Sequence, residues 1–335
     1  MALSRRIVLA GLFGTTGISV FSASSRVSSA TRIKVALLTP GLTNDGSFNQ
    51  VAREAVQKLQ SQGLITYELR EKMSDPASSE PVVRQYAARN YDLIIGHGIE
   101  LSEPILNVAR DFPKIHFSAL GGPGFGARLL PNVDGWTYDY GQDGYLSGWV
   151  AGRLIGITRV GLVGGPQLPF ILATHRGFKA GLAETNANAR VLEIFTGSFD
   201  DVAKAAEATR DLVGQGAEVV WTSGDGIGNG VAAAADEAHI YTLGVTGSAG
   251  GLADKVNIAS VELDMYPTFR AYVDGVKSGN FGRRFFVSGL ANKGLVLSRI
   301  NHVGTIVPPD LENEVGALVA ALASGKKTLP DFFDR

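Results

Sequence analysis

Thr39-Pro40-Gly41-Leu42-Thr43-Asn44-Asp45-Gly46-Ser47-Phe48-Asn49-Gln50 joins two patterns that together decide the fold. Before it runs Ile33-Lys34-Val35-Ala36-Leu37-Leu38, a short apolar stretch that predicts a buried strand. After it, over 47–62, Val51, Ala55 and Leu59 recur at helical spacing on one face. A strand ending in a Gly/Asn/Asp loop before a helix puts free backbone N–H groups at the carboxyl edge of a sheet. Open α/β sheets hold their ligands at that edge. Phe48 is the unusual residue, because a large aromatic in the first turn of such a helix faces either a crevice or a core.

The same rhythm continues outward. Strands are predicted over 65–69, 91–96, 115–120 and 133–138, with helices over 80–89 and 101–111 between them. Beyond the turn Gly121-Gly122-Pro123-Gly124, a helix over 142–154 precedes a second series. Its strands fall at 159–163, 190–195, 219–222 and 241–245, and its helices at 173–185, 201–215 and 229–238. Two βα series of similar length predict two similar parallel-sheet lobes. The last third reads as a strand over 257–263, a helix over 266–278, a strand over 285–290 and a helix over 312–323. This segment is expected to cross to the first lobe and return, making three chain crossings, a hinge and a cleft. The expected lobes are 31–140 with 264–290, and 141–263 with 291–335.

Bulk properties narrow the function. At 335 residues the chain can build two cores, and 45% apolar with 19% charged residues describes a soluble globular protein. A formal net charge of -1 gives no electrostatic reason to expect nucleic acid or an anionic membrane surface as partner. There is no cysteine, which removes disulfides, thiolate catalysis, cysteine metal sites and a lipid-anchored cysteine. The histidines at 97, 116, 175, 239 and 302 lack metal-ligand spacing, so no metal is expected. Residues 1–30 read as an export signal: Ser4-Arg5-Arg6, an apolar run from Ile7, and Ser28-Ser29-Ala30 as a small-x-small cleavage site. The leader is twin-arginine-like or Sec-type, so the mature chain is expected in the periplasm or outside the cell.

Asp45-x-Ser47-Phe48-Asn49 resembles the motif of the basic membrane protein (BMP) family, substrate-binding components of ABC importers whose members include the purine nucleoside receptor. Further similar stretches follow in order: Tyr91-Asp92-Leu93-Ile94-Ile95-Gly96, Gly144-Tyr145-Leu146-Ser147-Gly148, Gly197-Ser198-Phe199-Asp200-Asp201, and Gly224 to Gly230. The resemblance implies the type I periplasmic-binding-protein fold, two doubly wound parallel-sheet lobes closing on a ligand about a hinge. It implies a small-molecule ligand, an ABC permease in the inner membrane as partner, and a monomer. It also implies that Phe48 and Phe199, from opposite lobes, clamp a purine ring. Stacking is worth about 1–3 kcal/mol per base by analogy with nucleic acids. The competing reading makes both residues core packing.

Departures from the nucleoside-binding pattern alter the expected ligand. Pro40 stands where those members carry an acid, Thr246 where they carry the acid that holds the ribose hydroxyls, and Glu262 where they carry a lysine. A threonine hydroxyl cannot replace both acceptor oxygens of a carboxylate. A purine base, or another small heterocycle, therefore fits better than a nucleoside.

Other residues at the predicted cleft edge have two readings each. Asp45 and Asn49 cap the first helix or meet the ligand. His97 and Glu100, after the third strand, hydrogen-bond a heterocycle, or Glu100 simply suits a helix start. Asp225 accepts a purine N–H or is a solvated turn acid. Glu262 contacts ligand or forms a salt bridge. Gly224-Asp225-Gly226-Ile227-Gly228-Asn229-Gly230 puts Asn229 where a dinucleotide loop needs its third glycine, so no nucleotide cofactor is expected. No nucleophile elbow or nucleophile–base motif appears. The alternatives are a type I binding protein for sugar or another small molecule, and, from a different class, a nucleoside-processing enzyme.

Overall fold

The computed structural model describes residues 32–224, 226–245 and 252–333. The predicted leader, Asp225 and Thr246 lie outside them. The first series comprises β1 (Ile33–Leu38), α1 (Phe48–Ser61), β2 (Ile65–Arg70), α2 (Pro76–Ala88), β3 (Leu93–Gly96), α3 (Ser102–Asp111), β4 (His116–Leu120) and β5 (Val133–Tyr138). The second comprises α4 (Tyr140–Arg153), β6 (Arg159–Gly164), α5 (Pro169–Thr185), β7 (Arg190–Phe195), α6 (Val202–Gly214), β8 (Val219–Ser223), α7 (Ile227–Ala238) and β9 (Tyr241–Leu243). Then come α8 (Leu252–Val256), β10 (Val261–Leu263), α9 (Tyr266–Ser278), β11 (Phe285–Ser288), β12 (Leu295–Leu297) and α10 (Leu311–Ala323).

The first sheet is parallel throughout, in the order β11-β5-β4-β3-β1-β2. Side chains alternate across a strand, and both faces of β1 are apolar. Val35 and Leu37 pack with Ala52, Val56 and Leu59 of α1 and with Phe269 and Tyr272 of α9. Ala36 and Leu38 pack on the opposite face with Val83 of α2 and Ile105 of α3. The second sheet, β7-β6-β8-β9, is also parallel. Leu162 and Trp221 face α4 and α5, while Val163 and Val220 face α6 and α7. Helices cover both faces of each sheet, the doubly wound arrangement.

The chain passes between the sheets three times. It leaves after β5, comes back from β10 through α9 to β11, and leaves again from β11 to β12. β10 and β12 pair antiparallel as a two-stranded ribbon beside the second sheet. The last return is pinned by Asp134 of β5, which is fully buried. Its carboxylate accepts from the N–H groups of Gly282 (2.9 Å) and Arg284 (3.1 Å) and from the Arg284 guanidinium (Nε, 3.0 Å).

Several boundaries differ from the sequence reading. The helix expected over 80–89 begins at Pro76, because the Asp75 carboxylate caps the N–H groups of Ala77 and Ser78 and Pro76 needs no N–H at the first helical position. α5 likewise begins at Pro169. The strand expected over 257–263 is confined to Val261–Leu263, with Asn257 in an isolated bridge to Thr242. β11 stops at Ser288 because Asn292 Oδ1 takes the Gly289 N–H and folds the chain into a short 3-10 turn. Gly144 and Gly148 lie where α4 meets α5. A methyl group at these positions would collide with the backbone carbonyls of Thr174 and Phe178, so that stretch serves helix packing.

Candidate functional site

A cavity of about 320 Å³ opens at the carboxyl ends of strands from both sheets. The first lobe gives it Pro40, Ser47 and Phe48, then Ile99, Glu100 and Leu120. The second gives Phe170, Phe199, Thr222 and Ser223, and the crossing segments give Tyr138, Glu262 and Leu263. Ligand sites of open α/β sheets occupy this position.

Phe48 is held by the loop that precedes it. The Asp45 carboxylate accepts from the N–H groups of Ser47, Asn49 and Gln50, each at 3.0 Å, and from the Asn49 amide at 2.7 Å. Asn49 Oδ1 in turn accepts the Gly41 N–H at 3.3 Å. Asp45 and Asn49 are thus the frame of the loop and do not line the cavity. Nor does His97, which lies behind Phe48 with ring centroids 4.1 Å apart and planes 25° apart. Trp136 stacks with it at 5.1 Å and lies 6.2 Å from Phe48, so the three rings cluster. The His97 Nε2–H donates to the Phe48 carbonyl at 2.8 Å, since a carbonyl can only accept. Burial depresses its pKa to about 4, so the ring is neutral and Nδ1 has no partner among the described residues. The role predicted for His97 as a ligand donor gives way to a buried backing plate.

Phe199 lies in the loop between β7 and α6. Its ring covers Gly165, where an added Cβ would sit 2.8 Å from it, and its carbonyl accepts the Ile227 N–H at 3.1 Å. Asp201 then caps α6 by accepting the Lys204 N–H. Three further aromatics escaped the sequence reading. Tyr138 and Tyr140 flank the first crossing with rings 3.7 Å apart, and Phe170, second in α5, lies 5.1 Å from Tyr140. The alternating aromatics Trp136-Thr137-Tyr138-Asp139-Tyr140 were the available signal.

Among the described residues every charged side chain lining the cavity is an acid: Glu54, Glu100, Asp143 and Glu262. Burial pushes the Asp143 carboxyl up to about 7, helped by Asp139 one turn earlier. Burial raises Glu100 as well, with Asp200 of the other lobe adding to it; Asp200 is raised by burial and by Asp45. Glu262 faces the water of the cleft, yet the surrounding protein and then Glu54 push it up. Among the described residues no cation pairs with Glu262, so the salt bridge considered for it is not formed.

Beneath the second-lobe wall runs a hydrogen-bonded chain. His175, 1% exposed, joins Glu193 Oε1 through Nδ1 and Ser223 Oγ through Nε2, both at 2.7 Å, and Lys179 joins the other Glu193 oxygen at 2.9 Å. Burial opposes the charge on Glu193, but hydrogen bonds from His175 and Lys179 outweigh it and bring the pKa to about 2. Thr222, 3% exposed on the same wall, has a hydroxyl without a hydrogen-bond partner among the described residues.

The family model for PnrA-like ABC transporter substrate-binding proteins (Bmp) matches residues 32–266. The chain belongs to the Bmp family. Bmp proteins bind substrates and are not enzymes. This Bmp protein is 49% identical to an ABC transporter solute-binding protein from Conexibacter woesei DSM 14684. The match covers 90% of this chain and 100% of that one, with a TM-score of 0.80. It is 23% identical to basic membrane protein A1 of Borrelia garinii subsp. bavariensis over 302 residues, 89% of this chain and 88% of the relative. A solute-binding protein of Aeropyrum pernix K1, 19% identical with a TM-score of 0.77 over 89% of this chain and 93% of that one, shares the fold. The Bmp protein therefore has the two-lobed type I periplasmic-binding fold. A small-molecule ligand, an ABC permease partner and work outside the cytoplasm follow from the family.

Proposed function

We propose that this Bmp protein captures a small planar heterocycle, a purine base before a nucleoside, and presents it to its permease. The observation that carries this reading is that Phe48 and Phe199, from opposite lobes, line one cavity. Its volume of about 320 Å³ is near the small end of ligand pockets. Two aromatic faces from two lobes form a complete site only when the lobes close, which couples capture to domain movement. Pro40, Thr246 and Glu262 in place of the nucleoside binders' acids and lysine weigh against ribose recognition. On this reading the lobes are 31–140 with 264–290 and 141–263 with 291–335, the leader is removed after export, and the chain acts as a monomer.

A thermal-shift screen of bases, nucleosides and sugars followed by calorimetry tests the proposal. A ligand at 100 times its Kd adds about 2.7 kcal/mol of stability, enough for a clear shift. Free bases should give the largest shifts. Nucleosides binding tightly with bases silent would refute the base preference. The second reading is a sugar, favoured by Glu100, Asp143 and Glu262, whose oxygens can accept hydroxyls; sugar binding with no response to bases would establish it.

A further inference from the structure

We propose that the ligand of this cavity is a planar heterocycle whose edge is rich in N–H donors, amino-substituted or cationic, and free of acidic groups, because the charged and fixed polar groups around it act as acceptors. This deepens the heterocycle reading above and rests on it.

Two independent observations lead to this class. The first is charge. Among the described residues the lining contains four carboxyl groups and no lysine, arginine or histidine. Helix N-terminal amides often offset such acidity by holding anions, but those of α1 are occupied by Asp45. Gln50 is committed too, donating to Glu54 at 2.8 Å and accepting from the Gly46 N–H at 3.2 Å. A phosphate or carboxylate entering this space would meet like charge on several sides.

The second observation is the buried chain Glu193–His175–Ser223, whose two short contacts lead from an acid to the cavity wall. Glu193 is ionised and can only accept, so His175 Nδ1 carries the hydrogen. Burial lowers the pKa of His175 against the pull of Glu193, which favours the neutral ring with a lone pair on Nε2. The Ser223 hydroxyl must therefore donate to Nε2. Its hydrogen is committed inward, and only oxygen lone pairs remain for the cavity. His175 and Glu193 are positioning residues: they reach the ligand only through Ser223. Thr222 beside it keeps a buried hydroxyl without a partner among the described residues, a polar group that a ligand edge would satisfy.

The test compares 2,6-diaminopurine with xanthine by calorimetry on the folded protein. The two share a ring and differ in amino against oxo groups at both positions. Diaminopurine should bind at least about tenfold more tightly, as hydrogen bonds to charged acceptors warrant. Ser223→Ala should shrink that ratio, whereas Phe48→Ala should weaken both ligands and leave the ratio unchanged. Equal affinities, or a preference for xanthine, would overturn the donor assignment and leave the heterocycle reading standing. Binding of neither purine, with a sugar bound instead, would bring down the heterocycle reading and this one with it. If Ser223→Ala does not fold, the wild-type ratio still decides.

Discussion

His97 lies face to face with Phe48 at 4.1 Å and also grips the Phe48 carbonyl through Nε2 at 2.8 Å, so one buried ring fixes both the plane and the backbone of the residue facing the cavity. The pKa of His97 falls from 6.5 to about 4 on folding. A base with a lowered folded pKa supports the native state fully above about pH 6.5, and that support drains away as pH falls toward 4, about 3 kcal/mol in all. Thermal melts of the wild type and His97→Gln from pH 7.5 to 4 should converge as the wild type loses this term. His175, lowered in the same direction, stays in both proteins and cancels. Parallel curves would show that His97 is not held neutral.

Phe48→Ala removes one face of the proposed clamp. Loss of a stacking face worth about 1–3 kcal/mol should weaken ligand binding about tenfold or more. The unliganded circular-dichroism spectrum should stay native, since Phe48 is only half-buried. Undiminished affinity in calorimetry would end the clamp model.

Asp143 should report binding through its proton. In the unliganded cleft burial and then Asp139 hold its carboxyl near 7, so at neutral pH it is partly protonated. Glu100 and Glu262, also raised, face the same cavity, as does Glu54. A ligand N–H favours the carboxylate, lowers the raised pKa values of Asp143, Glu100 and Glu262 and expels protons, so affinity should climb as pH rises through 7. Binding heats measured in buffers of different ionisation enthalpy should differ, and the difference should shrink in Asp143→Asn. The same substitution should raise the unliganded melting temperature, increasingly from pH 4 to 7, because an acid with a raised folded pKa opposes folding once ionised.

Asp134→Asn should unfasten the return of the chain to the first sheet. A buried carboxylate lost from a paired guanidinium leaves Arg284 uncompensated, a change that costs about 3–5 kcal/mol. Urea denaturation should show a lower midpoint, and hydrogen exchange should quicken first in Phe285–Ser288. Unchanged exchange there would mean that side-chain packing alone secures the strand.

Much of this architecture was legible in local pattern. Ile33–Leu38 reads as a strand because both of its faces are apolar, and α1 reads as a helix because Ala55 and Leu59 keep helical spacing. The starts of α2 and α5 were hidden because Pro76 and Pro169 read as breakers and only the fold shows them at first helical positions. β12 has three residues and a partner more than thirty positions away, so nothing local announces it. The site divides in the same way. Phe48 was visible as an aromatic in a first helical turn, and Phe199 through the resemblance of its Gly197–Asp201 stretch to the family. The contact of His97 with Phe48 spans 49 positions, and that of His175 with Ser223 spans 48, and no periodicity records such separations.

The acids that confront each other between the lobes, Glu100 with Asp200 and Asp200 with Asp45, also shape the idle molecule. Bringing the lobes together without a solute would squeeze water from between groups of one sign, which would oppose shutting like a spring. Dissolved ions soften that spring by shortening the reach of the repulsion. An importer that responds to closed lobes would then be spared futile visits from empty carriers, most completely in dilute surroundings.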